Sequence, residues 1–203
     1  MKHDLRKEMP HFFEAPKGRF EEVTLPPARY FAVDGFGNPN TSPAYRAAVE
    51  ALYRASYKLK FLSKAAGADY TVPPLEGLWW AEDPAVFAAR NKDHWSWQML
   101  ILIPPFVGEA LAEKAVAACV AATPDAEGCL RTVTLAEGTV IQTLHVGSYD
   151  DETPVLDKLH HEVMPAGNWT FNGHHHEVYL SDPRRTAPQR LKTILRQPVK
   201  KAG

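Results

Sequence analysis

Two stretches of this chain carry the same order of elements and the same punctuation, and that repetition restricts the folds open to it. In the first, "RYFAVDG" alternates as a strand ending at Gly35, and Ser42-Pro43 opens the helical run "SPAYRAAVEALYRASYKLKFLSKAAG", with Gly67 as its stop. In the second, "TVIQTLHVG" is a strand ending at Gly147, and Thr153-Pro154 opens the helical run "TPVLDKLHHEVM". A hydroxyl residue followed by proline suits a helix start, because the hydroxyl caps a free N–H and the proline has none to satisfy. Val49, Leu52, Tyr53 and Leu59 recur at helical spacing in the first run. Two strands follow each helix: "DYTVPPLEGLWWA" and "HWSWQMLILIPP", then "GHHHEVYLSD" and "RLKTILRQPV". The helix "VGEALAEKAVAACVAA" links the halves. Each half reads strand, helix, strand, strand. The expected fold is α+β, with tandem β-α-β-β modules over about residues 28–104 and 129–198. They lie in one domain spanning 21–200, behind an N-terminal extension of residues 1–20.

Charge and composition narrow the function. Hydrophobic residues make up 45% of the 203, charged residues 23%, and the formal net charge is −1. No global field draws such a chain to nucleic acid or an anionic membrane. The basic end "RQPVKK" reads as a solvated tail. No apolar run approaches the roughly 18 residues that span a bilayer. The start, "MKHDLRKEMPHFFEAPKGRF", is too charged for a secretory signal, so the cytoplasm is the expected compartment. Cys119 and Cys129 are the only cysteines; without a CxxC spacing they suggest two buried thiols rather than a disulfide or zinc site.

The repetition matters most at two glutamates. Aligning "LEGLWWAED" with "HEVYLSD" sets Glu76 opposite Glu177, each mid-strand among apolar or aromatic neighbours. Glutamate is a poor strand former, and burying its charge unpaired is costly. A solvated sheet face explains one such residue; two at matching places suggest a shared cavity where the halves meet. Alternation puts Glu76 with Leu78 and Trp80, and Glu177 with His175 and Tyr179. Val178 and Leu180 then suit a helix-covered core on the other side. The histidines at 174–176, with His160 and His161, lack HExxH or Hx3H spacing. They read as turn-and-edge residues, with no metal and no cofactor expected. Ser148 and Ser181 have no GxSxG context, and "GFGNPN" reads as a turn rather than a phosphate loop.

Taken in order, "YFAVDGFGNPN", "PLEGLWW", "HWSWQMLILIP", "HVGSYDDE" and "HHHEVYLSDPRRTAPQRLKTILRQPV" resemble the GyrI-like small-molecule-binding proteins, and most of all their stand-alone bacterial branch. The resemblance covers roughly residues 20 to 200. It implies two β-α-β-β modules facing each other across a pseudo-two-fold axis, with a ligand cleft between them. Relatives fused to DNA-binding domains receive cationic, hydrophobic drugs at an acidic residue, and Glu177 is the matching position. Some stand-alone members hydrolyse cyclopropane-bearing alkylating toxins. On that reading Glu177 is the general base, and Tyr149, Tyr179 or His145 donates to the developing phenolate. Glu76, Trp80, Trp97, Trp169 and His175 are the further candidate binding residues. The expected partner is a hydrophobic aromatic or cationic small molecule, taken up for hydrolysis or bound without turnover.

Overall fold

The long helix starts where its residues dictate. The Ser42 side-chain oxygen accepts from the Tyr45 N–H at 3.3 Å, and Pro43 occupies the first turn. Just past the helix end Gly67 takes φ +98°, a left-handed value that favours glycine. The computed structural model describes residues 2–82, 91–122 and 130–203. The sequence's "EDPAVFAARNKD" connection in large part, and Cys129, lie outside the described residues; Cys119 is a buried free thiol.

The chain forms two compact units. Unit one holds β1 (Lys2–His3), α1 (Leu5–Glu8), β3 (Ala28–Phe36), α3 (Pro43–Ala65) and β4 (Asp69–Tyr70). It continues through β5 (Leu75–Trp80), β6 (Ser96–Leu102), α4 (Glu109–Ala122) and β7 (Arg131–Leu135). Its antiparallel strands run in the order β7, β3, β6, β5, and β1 pairs separately with β4. Unit two holds α2 (Pro10–Phe13), β2 (Glu21–Leu25), β8 (Gly138–Val146) and a 3-10 turn (Tyr149–Glu152). It ends with α5 (Thr153–Lys158), a π-helical turn (Leu159–Val163), α6 (Met164–Ala166), β9 (Trp169–Phe171), β10 (His175–Tyr179) and β11 (Lys192–Lys201). Its antiparallel order is β2, β8, β11, β10, with β9 on the far end of β11. After its long strand and helix, unit one runs β4, β5 and β6, and unit two runs β9, β10 and β11.

In unit one, Trp97 explains Gly35. The two face each other across β6 and β3, and a Cβ on Gly35 would lie 2.0 Å from the Trp97 ring. The buried indole donates from Nε1 to the Gly37 carbonyl at 3.2 Å, and Tyr45 of α3 meets it edge-on at 5.3 Å. Tyr45 also contacts Trp79 at 6.1 Å, so α3 covers the face that bears Trp79, Trp97 and Gly35. Gly35 is therefore a close-packing position inside β3. The strand ends at Gly37, as β8 ends at Gly147, which corrects the pairing of Gly35 with Gly147.

Unit two corrects three further expectations. "RQPVKK" is no solvated tail: all six residues belong to β11, Arg196 is fully buried, and the Lys201 ammonium lies 3.4 Å over the Trp169 ring. His174 is exposed, but His175 and His176 are buried within β10 rather than at a turn or edge. The helix after Pro154 widens into a π turn from Leu159, and it covers the face opposite to Val178. Ile141 packs against Leu159 and Met164 of that helical segment. The strand register puts Ile141 on the same face as Thr143, Leu195 and Glu177.

Candidate functional site

Three rows of side chains cross the helix-covered face of unit two. Tyr179 stands opposite Thr193, which stands opposite His145; Glu177 stands opposite Leu195, which stands opposite Thr143. His175 and Ile141 flank Gln197 in the next row, since His176 pairs with Arg196 and Gln197 with Ile141. This register brings His175, Glu177, Tyr179 and His145 to one surface. The turn after Gly147 adds Tyr149, whose ring meets Tyr179 edge-on at 5.8 Å and 81°.

Glu177 is only 9% exposed, and its Oε1 lies 3.4 Å from His175 Nε2. Burial, and then the charges of Glu177, Glu152 and Asp182, push the Tyr149 hydroxyl up to about 12. It is therefore a neutral phenol at physiological pH, able to donate. His145 Nε2 lies 3.0 Å from the Ser148 carbonyl. A carbonyl only accepts, so Nε2 carries the proton and Nδ1 of the neutral ring is an acceptor. The Thr193 hydroxyl is buried and makes no hydrogen bond among the described residues. Together these groups offer a carboxylate, phenolic donors and an imidazole on one nearly dry face.

The other face of the same strands carries a buried polar row. His176 Nδ1 lies 2.9 Å from Glu137 Oε1, and Arg196 Nη1 3.7 Å from Glu137 Oε2. Arg196 donates from Nε to Gln142 at 3.0 Å and from Nη2 to the Phe12 carbonyl at 2.9 Å. Gln142 Nε2 donates to Glu21 and to the Glu14 carbonyl, both at 3.0 Å. Burial pushes Glu137 up, but the charges of His176 and Arg196 outweigh it and hold the carboxyl low. The row ties β10, β11, β8 and β2 to α2, and so fixes the strand that carries Glu177.

The remaining sequence candidates lie elsewhere. Trp97 is a fully buried core residue of unit one with its ring over Gly35. Trp169 pairs with Lys201 on β9 and packs on the Ile141–Leu159 cluster. Lys201 is six residues beyond Leu195, about 20 Å along the strand. Glu76 is fully buried in unit one, on the face away from α3, in a row with Leu100 and Ala32. Trp80 is half-buried on that same face.

Glu76 and Glu177 are not register equivalents. Ala32 stands as far before Gly37 as Gln142 stands before Gly147, so by that count the row of Glu76 is level with the row of His176, Arg196 and Gln142. Gly77, in the row of Met99 and Val33, occupies the level of Glu177. By this count Glu76 and Glu177 lie one row apart, and one residue inverts the face.

Glu152 and Thr193 are not among the candidates the sequence offers. Glu152 is 4% exposed despite standing in "YDDE", which reads as a solvated charge run. Its signal was the following Thr-Pro, which makes it the last residue before a helix. Among the described residues, no group of three or more His, Cys, Asp or Glu side chains is arranged to hold a metal. No helix among them is long and apolar enough to cross a membrane.

The family model of the GyrI-like small molecule binding domain matches residues 19–200. Among solved structures, an uncharacterised conserved protein from Listeria innocua is 34% identical, with a TM-score of 0.86 over 97% of this chain and 99% of that one. A hydrolase from Listeria innocua is 33% identical, with a TM-score of 0.84 over 98% of this chain and 100% of its own. A further structure of a hydrolase from that organism is 32% identical, with a TM-score of 0.81 over 97% and 99%. No curated protein matches this chain.

Proposed function

The chain belongs to the GyrI-like small-molecule-binding domain family, and from that premise we propose that it hydrolyses a reactive aromatic electrophile, with Glu177 as general base. The observation that carries this reading is the pairing of a nearly dry carboxylate with His175 at 3.4 Å, beside the Tyr149–Tyr179 pair. The hydrolase relatives at 33% and 32% identity support turnover rather than binding alone.

The substrate class that fits is a cyclopropane fused to a dienone, the class implied by the sequence resemblance. Glu177 takes a proton from water as the water oxygen bonds to the cyclopropane methylene carbon. The strained C–C bond breaks, and its electron pair moves through the dienone to the carbonyl oxygen. Tyr149, as a neutral phenol, donates to that oxygen as it becomes a phenolate, and a proton from solvent completes the phenol. One water is consumed, and no electron enters or leaves. General-base help of this kind contributes about 10²–10⁴-fold. The test is to incubate the purified protein with a cyclopropane-fused dienone and to follow, by mass, a phenol heavier by one water.

A second reading is binding of a cationic aromatic molecule without turnover. It is favoured by the three carboxylates, Glu177, Glu152 and Asp182, whose charges act together at Tyr149. In that case no hydrated product forms, and affinity for a cationic dye falls when Glu177 is neutralised.

A further inference from the structure

We propose that His145 is the positioning residue for Tyr149, holding the carbonyl of the Ser148–Tyr149 peptide so that the phenol faces the ligand. The proposal rests on the reading of Tyr149 as the donor to the developing phenolate. Tyr149 stands in the turn that follows β8, where Asp150 and Asp151 are exposed. Surface turns have few contacts of their own and open easily. A donor that must meet one oxygen within hydrogen-bond reach needs a backbone that does not wander.

Three hydrogen bonds brace this turn. His145 projects from β8 in the row of Thr193 and Tyr179, and is 8% exposed. Its Nε2–H donates to the Ser148 carbonyl at 3.0 Å. The same oxygen accepts from the Asp151 N–H at 3.1 Å, so both of its lone pairs are engaged. The Ser148 hydroxyl donates to Asp151 Oδ2 at 2.7 Å and closes the turn from its other side. The braced carbonyl belongs to the planar peptide that leads into Tyr149, so its direction sets the direction in which Tyr149 leaves the turn. The ring then meets Tyr179 edge-on at 5.8 Å, in the row from which His145 projects. Gly147 makes room for the brace: a Cβ there would lie 2.9 Å from His145 Nε2.

The same bond limits what His145 does itself. In its neutral form the imidazole has one N–H, and Ser148 takes it. Nδ1 only accepts, so the neutral ring has no N–H left for an oxygen of the ligand. Of the three donors that the sequence offers, His145 therefore acts through Tyr149.

The first test needs no substrate. Burial pushes the Tyr149 hydroxyl up to about 12. His145→Met keeps a side chain of similar bulk but removes the N–H, and the loosened turn should let Tyr149 titrate clearly below 12, towards 10. In His145→Gln the amide nitrogen reaches the same carbonyl, and the value should return to about 12. Gly147→Ala leaves His145 in the chain but sets a methyl against its Nε2, and should behave like His145→Met. It serves if His145→Met does not fold. A Tyr149 titration that stays at about 12 in these two variants overturns the proposal, and so does a value in His145→Gln as low as in His145→Met. The second test follows hydrolysis of a cyclopropane-fused dienone. His145→Met should lower kcat at least about tenfold and leave KM within about twofold, and His145→Gln should recover most of the loss. Placed on Tyr149→Phe, His145→Met should cost less than about a further twofold, because an effect carried by the Tyr149 hydroxyl cannot be lost twice. A full further loss in the double variant makes His145 act on the substrate directly and overturns the proposal. If wild type itself forms no product, the hydrolytic reading fails, and the Tyr149 titration still decides whether His145 holds the turn.

Discussion

Replacing Arg196 with methionine tests the buried row beneath the Glu177 strand. Arg196 is fully buried, and methionine keeps much of its bulk while removing the charged fork. Gln142 Oε1 and the Phe12 carbonyl each lose a donor, at 3.0 and 2.9 Å respectively. A buried acceptor left without its donor costs about 1–3 kcal/mol. Glu137 is not stranded, because His176 remains 2.9 Å away. The sum, about 2–6 kcal/mol, brackets the roughly 3–5 kcal/mol typical of breaking a buried pair. The expected loss is about 4 kcal/mol, which lowers Tm by about 8–16 °C in a chain of this size. Urea unfolding, followed by tryptophan fluorescence and by circular dichroism, measures it if the two transitions coincide. A loss below about 1 kcal/mol would refute the reasoning, since orphaned acceptors in a dry site cannot cost so little.

Gly35→Ala should destabilise by about 1–3 kcal/mol, because the Trp97 ring already fills the space of the new methyl; calorimetry with Trp97 fluorescence checks both the loss and the ring's displacement. Tyr149 should titrate near 12 rather than near 10 in absorbance at the phenolate band, and that step should vanish in Tyr149→Phe. Because the unfolded phenol ionises first, stability should fall as pH rises from about 10 to about 12. Neutralising Glu177 removes one cause of the shift and should bring the Tyr149 step down.

Much of the fold was legible because its signals are local. Ser42-Pro43 and Gly67 bound α3 through capping and a left-handed turn, and those interactions involve only neighbours in the chain. Glu177, His175 and Tyr179 share a face by strand alternation, which needs no partner strand. What failed depended on partners. Both faces of β10 are buried, one under the helical segment and the other against the row that reaches α2, so alternation could not tell which side the helix covers. Glu76 was matched to Glu177 by motif likeness, whereas their levels are set by hydrogen-bond register with β6 and β11. Arg196 looked like part of a basic tail because its acceptors, Gln142 and the Phe12 carbonyl, are far away in sequence.

The measurement that bears most directly on the proposed function is the turnover of Glu177→Gln beside wild type. Glutamine keeps the length and hydrogen-bonding capacity of the side chain but cannot serve as a base. With a cyclopropane-fused dienone at saturating concentration, kcat should fall by about 10²–10⁴-fold. Affinity for a neutral, unreactive analogue should stay within about threefold, because the shape of the site is unchanged. Wild-type turnover in the variant would contradict the account, because the buried carboxylate beside His175 would then have no part in the chemistry.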